Sequence, residues 1–121
     1  MRMKLIAGVA ALTVSGVARA MPVDQFLAKA EALQARGFTA MFSSDFKLLT
    51  SVIKADSAAL KGERQAAAAA HRKPPYCPPG PVKMSSDDIL TVMRGVPAPA
   101  RARTDTRDAL RSYFAKRFPC A

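Results

Sequence analysis

The sequence has few residues of the kinds that enzymes use for catalysis. Among 121 residues it has one histidine and two cysteines. It contains no glycine-rich phosphate loop, no G-x-S-x-G nucleophile turn, no His-x-x-x-His metal pair and no Walker motif. The single histidine, His71, lies beside Arg72 and Lys73, and a solvated surface position is expected for it. We therefore expect a protein that is not an enzyme and that needs no metal and no cofactor.

Acidic residues are also scarce. Nine aspartates and glutamates stand against 19 lysines and arginines, and the formal net charge is +10. A basic chain of this kind can associate with acidic proteins, anionic envelope polymers or nucleic acid. Nucleic-acid binding usually needs exposed aromatic residues between the basic ones, whereas Tyr113, Phe114 and Phe118 have the spacing of core residues. We expect no nucleic-acid partner.

The first 20 residues, MRMKLIAGVAALTVSGVARA, have the pattern of a secretory signal peptide. Arg2 and Lys4 precede an apolar run that is shorter than the roughly 20 residues needed to cross a bilayer. No cysteine follows the run for lipid attachment, and no twin arginine precedes it. The pattern predicts export to the periplasm by the Sec route and cleavage after Ala20. Without Arg2, Lys4 and Arg19, residues 21–121 keep +7 of the +10 charge and form a single domain.

The two cysteines are expected to form a disulfide, because export delivers the chain to an oxidising compartment. Cys77 lies in the proline-rich stretch PPYCPPGP, and Cys120 lies in FPC at the end of the chain. Their link would close a loop of about 43 residues, for which chain entropy gives a stabilisation of roughly 4 kcal/mol. A domain of about 100 residues has a modest core, so this link matters. For Tyr76, next to Cys77, we expect a structural role.

Helical periodicity dominates residues 21–72. Phe26, Ala30 and Leu33 share the face of a first helix, and Gly37 is expected to end it in a left-handed conformation. A short apolar turn follows. A second helix is predicted from Asp45 to about Arg72, with prolines at 74 and 75 stopping it, although Asp56 interrupts its apolar face.

Two further helices complete the prediction. In MSSDDIL, Ser85 is expected as N-cap and Asp88 as the third helical residue of a capping box, in a helix that runs to about residue 94. Asp87 and Asp88 could also be imagined as an acid/base pair, but neighbouring helical positions diverge. An extended connector, VPAPARAR, then leads to a last helix capped by Thr104 and ended by Pro119. No convincing strand pattern is present, so we expect an all-α domain of about four main helices with one disulfide.

A basic cluster surrounds the start of the last helix and continues along it. Its members are candidates for binding a partner: Arg101, Arg103, Arg107, Arg111, Lys116 and Arg117. Arginines one helical turn apart can form a stripe that suits acidic protein surfaces or phosphates. The alternative is a solvated helix face that Asp105 and Asp108 partly neutralise.

The stretch YCPPGPVKMSSDDILTVMR, followed by LRSYFAKRFPC, resembles the C-terminal half of the Tai/Rap type VI secretion immunity-protein family. The resemblance covers about residues 76–121, and its matching positions are Cys77, Pro78, Pro79, Ile89, Leu90, Leu110, Phe114, Phe118, Pro119 and Cys120. It implies a small, exported, helical and often dimeric protein that binds a secreted hydrolase effector, a cell-wall amidase, and blocks it.

A second function from a different class fits the charge of the chain. The protein could be an envelope structural or stress protein whose basic face binds anionic cell-wall polymer or lipid. Such binding would weaken steeply with added salt, because salt screens exposed charges.

Overall fold

A computed structural model describes residues 20–121, in which the all-α prediction is confirmed. Four α-helices follow one another: α1 (Val23–Arg36), α2 (Ser44–Ala69), α3 (Ser86–Arg94) and α4 (Thr106–Arg117). Two 3-10 helices, Gly37–Phe42 and Ala98–Arg103, join α1 to α2 and α3 to α4. No strand occurs in these residues, apart from an isolated bridge between Pro22 and Asp105. The predicted signal peptide, residues 1–20, lies outside the described residues except for Ala20.

The core forms where the apolar faces of the four helices meet. Its buried side chains come from each helix and from the loop between α2 and α3: Val23, Phe26, Leu27, Leu33, Leu49, Leu60, Tyr76, Leu90, Met93, Leu110 and Phe114. Tyr76 packs on Phe114 with ring centroids 5.1 Å apart, so it has a structural place in the core. Within residues 20–121, no helix is both long and apolar enough to span a bilayer.

The predicted disulfide between Cys77 and Cys120 is confirmed, with the two Cα atoms 5.0 Å apart. Beside it, the backbone N–H of Cys77 donates to the carbonyl oxygen of Phe118 at 2.8 Å. The end of α4 is therefore tied to the proline-rich loop both covalently and by a backbone hydrogen bond.

The start of α4 is tied to the segment that precedes α1. The N–H of Val23 donates to the carbonyl oxygen of Thr104, and the N–H of Thr106 donates to that of Met21, each at 2.9 Å. The N–H of Met21 also approaches the Thr106 hydroxyl oxygen at 3.4 Å. Both ends of α4 are thus fixed by segments distant in sequence.

The capping box of α3 is confirmed. The Asp88 N–H donates to the Ser85 hydroxyl oxygen at 3.1 Å, and the Ser85 N–H donates to an Asp88 carboxylate oxygen at 2.9 Å. The hydrogen bond from the Ser85 backbone N–H is the main cause that lowers the pKa of the Asp88 carboxyl. The acidic residues of this turn stabilise the start of α3, where backbone N–H groups lack intrahelical partners.

Three local predictions were wrong. α2 ends at Ala69, three residues before Arg72, because its last carbonyls are already satisfied by the N–H groups of His71 and Arg72. The connector between α3 and α4 is a 3-10 helix rather than extended. Asp105, not Thr104, is the N-cap of α4, since the N–H of Asp108 donates to its carboxylate at 2.7 Å. The Thr104 hydroxyl instead donates to the carbonyl oxygen of Ala100.

Candidate functional site

Four of the six predicted partner-binding side chains make contacts within the fold. Arg101 donates to the carbonyl oxygens of Val96 and Arg94, and so closes the C-terminal end of α3. Arg107 and Arg111 pair with acidic residues of α2. Arg117 lies over the Tyr113 and Phe118 rings and donates to the Tyr113 hydroxyl.

The pair formed by Arg107 lies at a buried carboxylate. Asp56 is fully buried. Its carboxylate accepts hydrogen bonds from the Thr106 hydroxyl at 2.6 Å and from Arg107 Nε at 3.2 Å. Burial raises the pKa of Asp56, and the hydrogen bond from Thr106 and the charge of Arg107 oppose this only in part. The network joins the middle of α2 to the start of α4, and each of its groups has a partner.

Arg111 makes the second link between α2 and α4. Its guanidinium donates to both carboxylate oxygens of Glu63, at 2.9 and 2.6 Å, and it also pairs with Asp108. The hydrogen bonds from Arg111 lower the pKa of Glu63, and those to Glu63 raise the pKa of Arg111. The paired geometry is that of a bidentate arginine–carboxylate contact, which fixes the register of two helices.

Arg103 and Lys116 are the members of the predicted cluster that make neither an ion pair nor a side-chain hydrogen bond with a described residue. Both side chains are exposed. A partner-binding role for the cluster as a whole stays a prediction, and a partner that binds these two residues would displace no polar contact within the fold.

An open groove of about 890 Å³ lies beside α2. One wall is a single face of α2, which includes Phe46, Leu49, Ile53, Ser57, Lys61 and Arg64. The other wall combines α1 with the proline-rich loop and the start of α3, and the floor includes Leu110 and Phe114 of α4. Most of these side chains are apolar, so the surface favours an apolar guest. We call it the α2 groove.

Charged side chains occur on one part of the α2 groove. Lys54, Lys61 and Arg64 line it from α2, and Asp87 is the one carboxylate that lines it. The Arg64 guanidinium lies over the Tyr76 ring, 5.2 Å from its centroid. Its Nε is buried and has no hydrogen-bond partner among the described residues. A buried donor without an acceptor is rare in folded proteins and calls for an explanation.

A second apolar surface lies on the 3-10 helix between α1 and α2. Phe38, Met41 and Phe42 are 76%, 52% and 75% exposed, and the two rings meet edge to face at 6.1 Å between centroids. We call these three residues the aromatic patch. Gly37 begins the turn with φ of +67° and ψ of −144°, and the buried Ala40 anchors it. Large apolar side chains grouped on a surface usually mark a contact site.

No group of three or more histidine, cysteine or acidic residues that could hold a metal occurs within residues 20–121. His71 is exposed beyond the end of α2. Asp56, Thr106 and Arg107 form the polar cluster that most resembles a catalytic site. The Asp56 carboxylate has no exposed surface, however, so it cannot reach a substrate.

The sequence did not predict the groove or the aromatic patch. The stretch FTAMF predicts a short apolar turn, but its letters do not show which of its side chains lie on the surface. A groove depends on how α1, α2 and the proline-rich loop pack, which periodicity along one chain does not specify.

Comparison of the chain with protein-family models, curated proteins and solved structures finds no match.

Proposed function

We propose that the protein is an exported periplasmic binding protein that acts like the immunity proteins it resembles, by holding and blocking a cell-wall amidase effector. The observation that carries this proposal is the aromatic patch, with Phe38 and Phe42 about three-quarters exposed on an anchored turn. Burying such a ring at an interface is worth about 1.5–3 kcal/mol. Aromatic anchors of this kind dominate many protein–protein contacts.

Under this proposal, the residues that build the scaffold and the residues that contact the partner lie in different parts of the chain. The residues that carry the resemblance build the scaffold, since Leu110 and Phe114 are buried and Cys77 is bonded to Cys120. The aromatic patch lies outside the resembling region, on the other half of the chain. A family that keeps its scaffold and changes its partners would place its contact residues in such a segment.

The test measures inhibition of the cell-wall amidase effector from the same bacterium by the purified protein. Wild-type protein is expected to inhibit, and Phe38→Ser/Phe42→Ser is expected to inhibit at least about 30-fold less strongly, because two contact anchors are lost. Val82→Ser is the matched control, since Val82 is also an exposed apolar residue but lies outside the patch.

Wild-type protein that inhibits no amidase effector would contradict the proposed function. Inhibition that survives Phe38→Ser/Phe42→Ser but is lost in Val82→Ser would move the contact from the aromatic patch to the α2 groove, which Val82 lines.

The alternative function, binding of anionic cell-wall or lipid polymer, is supported by the exposed and unpaired Arg103 and Lys116. Sedimentation with purified cell wall at low ionic strength tests it, with Arg103→Gln/Lys116→Gln as the variant. Retention that falls in this variant and with added salt would favour the alternative. No retention at low salt would exclude it.

A further inference from the structure

We propose that the α2 groove binds a single-chain anionic amphiphile of the fatty-acid class, with its carboxylate at Lys61 and Arg64 and its chain directed toward Phe46. This inference goes beyond the proposed function and uses a different surface. It rests on the size of the groove, the distribution of charge along it, and the Arg64 guanidinium, which lies against the Tyr76 ring at one end of the groove.

The groove has the size and the length for such a guest. Its volume of about 890 Å³ falls within the roughly 300–1,000 Å³ typical of small-molecule sites. The α2 wall runs from Phe46 to Arg64. At 1.5 Å per residue this face extends for about 27 Å along the helix axis, which suits an elongated molecule.

Charge is distributed unevenly along that wall. The part nearer the start of α2 presents Phe46, Leu49, Thr50 and Ile53, none of which is charged. The part nearer its end presents Lys61 and Arg64, with Lys54 between the two parts. None of the three cations is in an ion pair with a described residue. An apolar end and a cationic end match a molecule with a tail and an anionic head.

Arg64 would fix the position of the guest's anionic head group. The guanidinium is held against the Tyr76 ring, and Tyr76 is only 3% exposed, so one face of the guanidinium is fixed. Its buried Nε has no acceptor among the described residues. The terminal N–H groups of the guanidinium are not buried, and a carboxylate oxygen in the groove would accept a charge-assisted hydrogen bond from them.

The groove suits an alkyl chain better than an extended peptide. A peptide brings backbone N–H and C=O groups that need partners when buried. The apolar part of the groove offers few such partners, because Phe26, Leu33, Leu49, Ile53 and Leu90 dominate it. An alkyl chain has no polar groups to satisfy there.

The test is calorimetric titration of the oxidised protein with decanoate, below the concentration at which it forms micelles, and with decyltrimethylammonium, which has the same chain length and the opposite charge. Decanoate is expected to bind, with an affinity about fourfold higher than that of nonanoate, since each buried methylene adds a constant increment. The cation is expected to bind at least about tenfold more weakly, because the head site is cationic.

Three variants locate the site. Ser57→Trp places a large side chain in the groove from an exposed position of α2 and is expected to abolish decanoate binding. Arg64→Gln is expected to weaken binding about 10- to 100-fold through loss of a charged hydrogen bond, and Lys61→Gln several-fold. Lys47→Gln is the matched control, because Lys47 is an exposed lysine of α2 that does not line the groove.

Several results would overturn the proposal: no binding of decanoate, equal binding of the cation, or unchanged binding in Ser57→Trp when circular dichroism shows that variant folded. A dimer that Ser57→Trp dissociates, without decanoate binding, would assign the groove to a second copy. Amidase inhibition lost in Ser57→Trp, again without decanoate binding, would assign it to the effector. Because Phe38→Ser/Phe42→Ser should keep decanoate binding and lose inhibition, the two proposals can fail separately.

Discussion

At the scale of single residues, Asp56 shows how a charge can be accommodated inside a small helical domain. Its carboxylate is fully buried and accepts hydrogen bonds from Thr106 and Arg107. Burial disfavours the ionised form, and the partners recover only part of that cost, so the pKa of Asp56 is raised above its ordinary value of 3.8. Removal of one partner from such a network leaves the others buried without a hydrogen bond.

Asp56→Asn is expected to change how stability depends on pH. An acid whose pKa is raised on folding stabilises the protein fully below the unfolded value of 3.8, and that contribution is lost as the pH rises through the folded pKa. The free energy of unfolding of the wild type should therefore fall relative to that of Asp56→Asn as the pH rises above 3.8. Urea unfolding at a series of pH values measures this difference.

Thr106, Arg107 and Asp105 face the same carboxylate, and the variant leaves all of them in place. Parallel stability curves for the two proteins would contradict the expectation.

Asp56→Leu is a second comparison, in which the buried Thr106 hydroxyl loses its acceptor. A loss of about 1–3 kcal/mol is expected there at neutral pH, which is the cost of a buried hydroxyl without its acceptor.

At the scale of elements, the end of α2 carries a residue in an unfavourable conformation. The N–H of Arg72 donates to the carbonyl oxygen of Ala67, and that of His71 to Ala68, which together form a Schellman motif. His71 has φ of +55°, in the left-handed region that favours glycine. The helix therefore ends by its own hydrogen bonds before the prolines can stop it.

His71→Gly is expected to raise the free energy of unfolding by about 1 kcal/mol, because a side chain in the left-handed conformation costs roughly 1–2 kcal/mol. Thermal or urea unfolding measures the gain. Ala70→Gly is the control: Ala70 has φ of −92°, so glycine brings no conformational relief there and should stabilise nothing. A gain in both variants, or in neither, would show that the conformation of His71 is not the cause.

The elements that could be predicted are those fixed by local chemistry. The capping box at Ser85 and Asp88 and the apolar face of α1 follow from neighbouring residues, and both were predicted correctly. From the sequence, Asp56 only interrupts the apolar face of α2. Its role could not be predicted, because its partners Thr106 and Arg107 lie about 50 residues away in the sequence. The pairs of Arg107 with Asp56 and of Arg111 with Glu63 could not be predicted for the same reason, whereas Asp108, which also pairs with Arg111, lies on the same helix and was expected to neutralise part of the basic cluster.

At the scale of the whole molecule, α4 is the element that closes the fold. Segments before α1 hold its start, and the loop before α3 holds its end through the disulfide. Arg107 near its start and Arg111 near its middle pair with acidic residues of α2.

Cys77→Ser/Cys120→Ser is expected to lower the free energy of unfolding by roughly 4 kcal/mol, because the disulfide spans 43 residues and restricts the unfolded chain. Urea unfolding of the oxidised wild type and of the variant gives the difference. Adding a reductant is the control: it should destabilise the wild type by a similar amount and leave the variant unchanged. A loss below about 1 kcal/mol would show that the other anchors of α4 suffice.

The backbone nitrogen of Met21 lies 3.4 Å from the hydroxyl oxygen of Thr106, which itself donates to Asp56. Cleavage after Ala20 would turn this nitrogen from a neutral amide into an ammonium group, with a reference pKa of about 7.7–8.0. A protein that begins at Met21 with a free amine should then unfold at a higher temperature than its N-acetylated form, and the gap should close above about pH 9. Identical melting temperatures at pH 6 would rule this out. Removal of the leader would in that case add a positive charge beside the Thr106 hydroxyl, which donates to the buried carboxylate of Asp56.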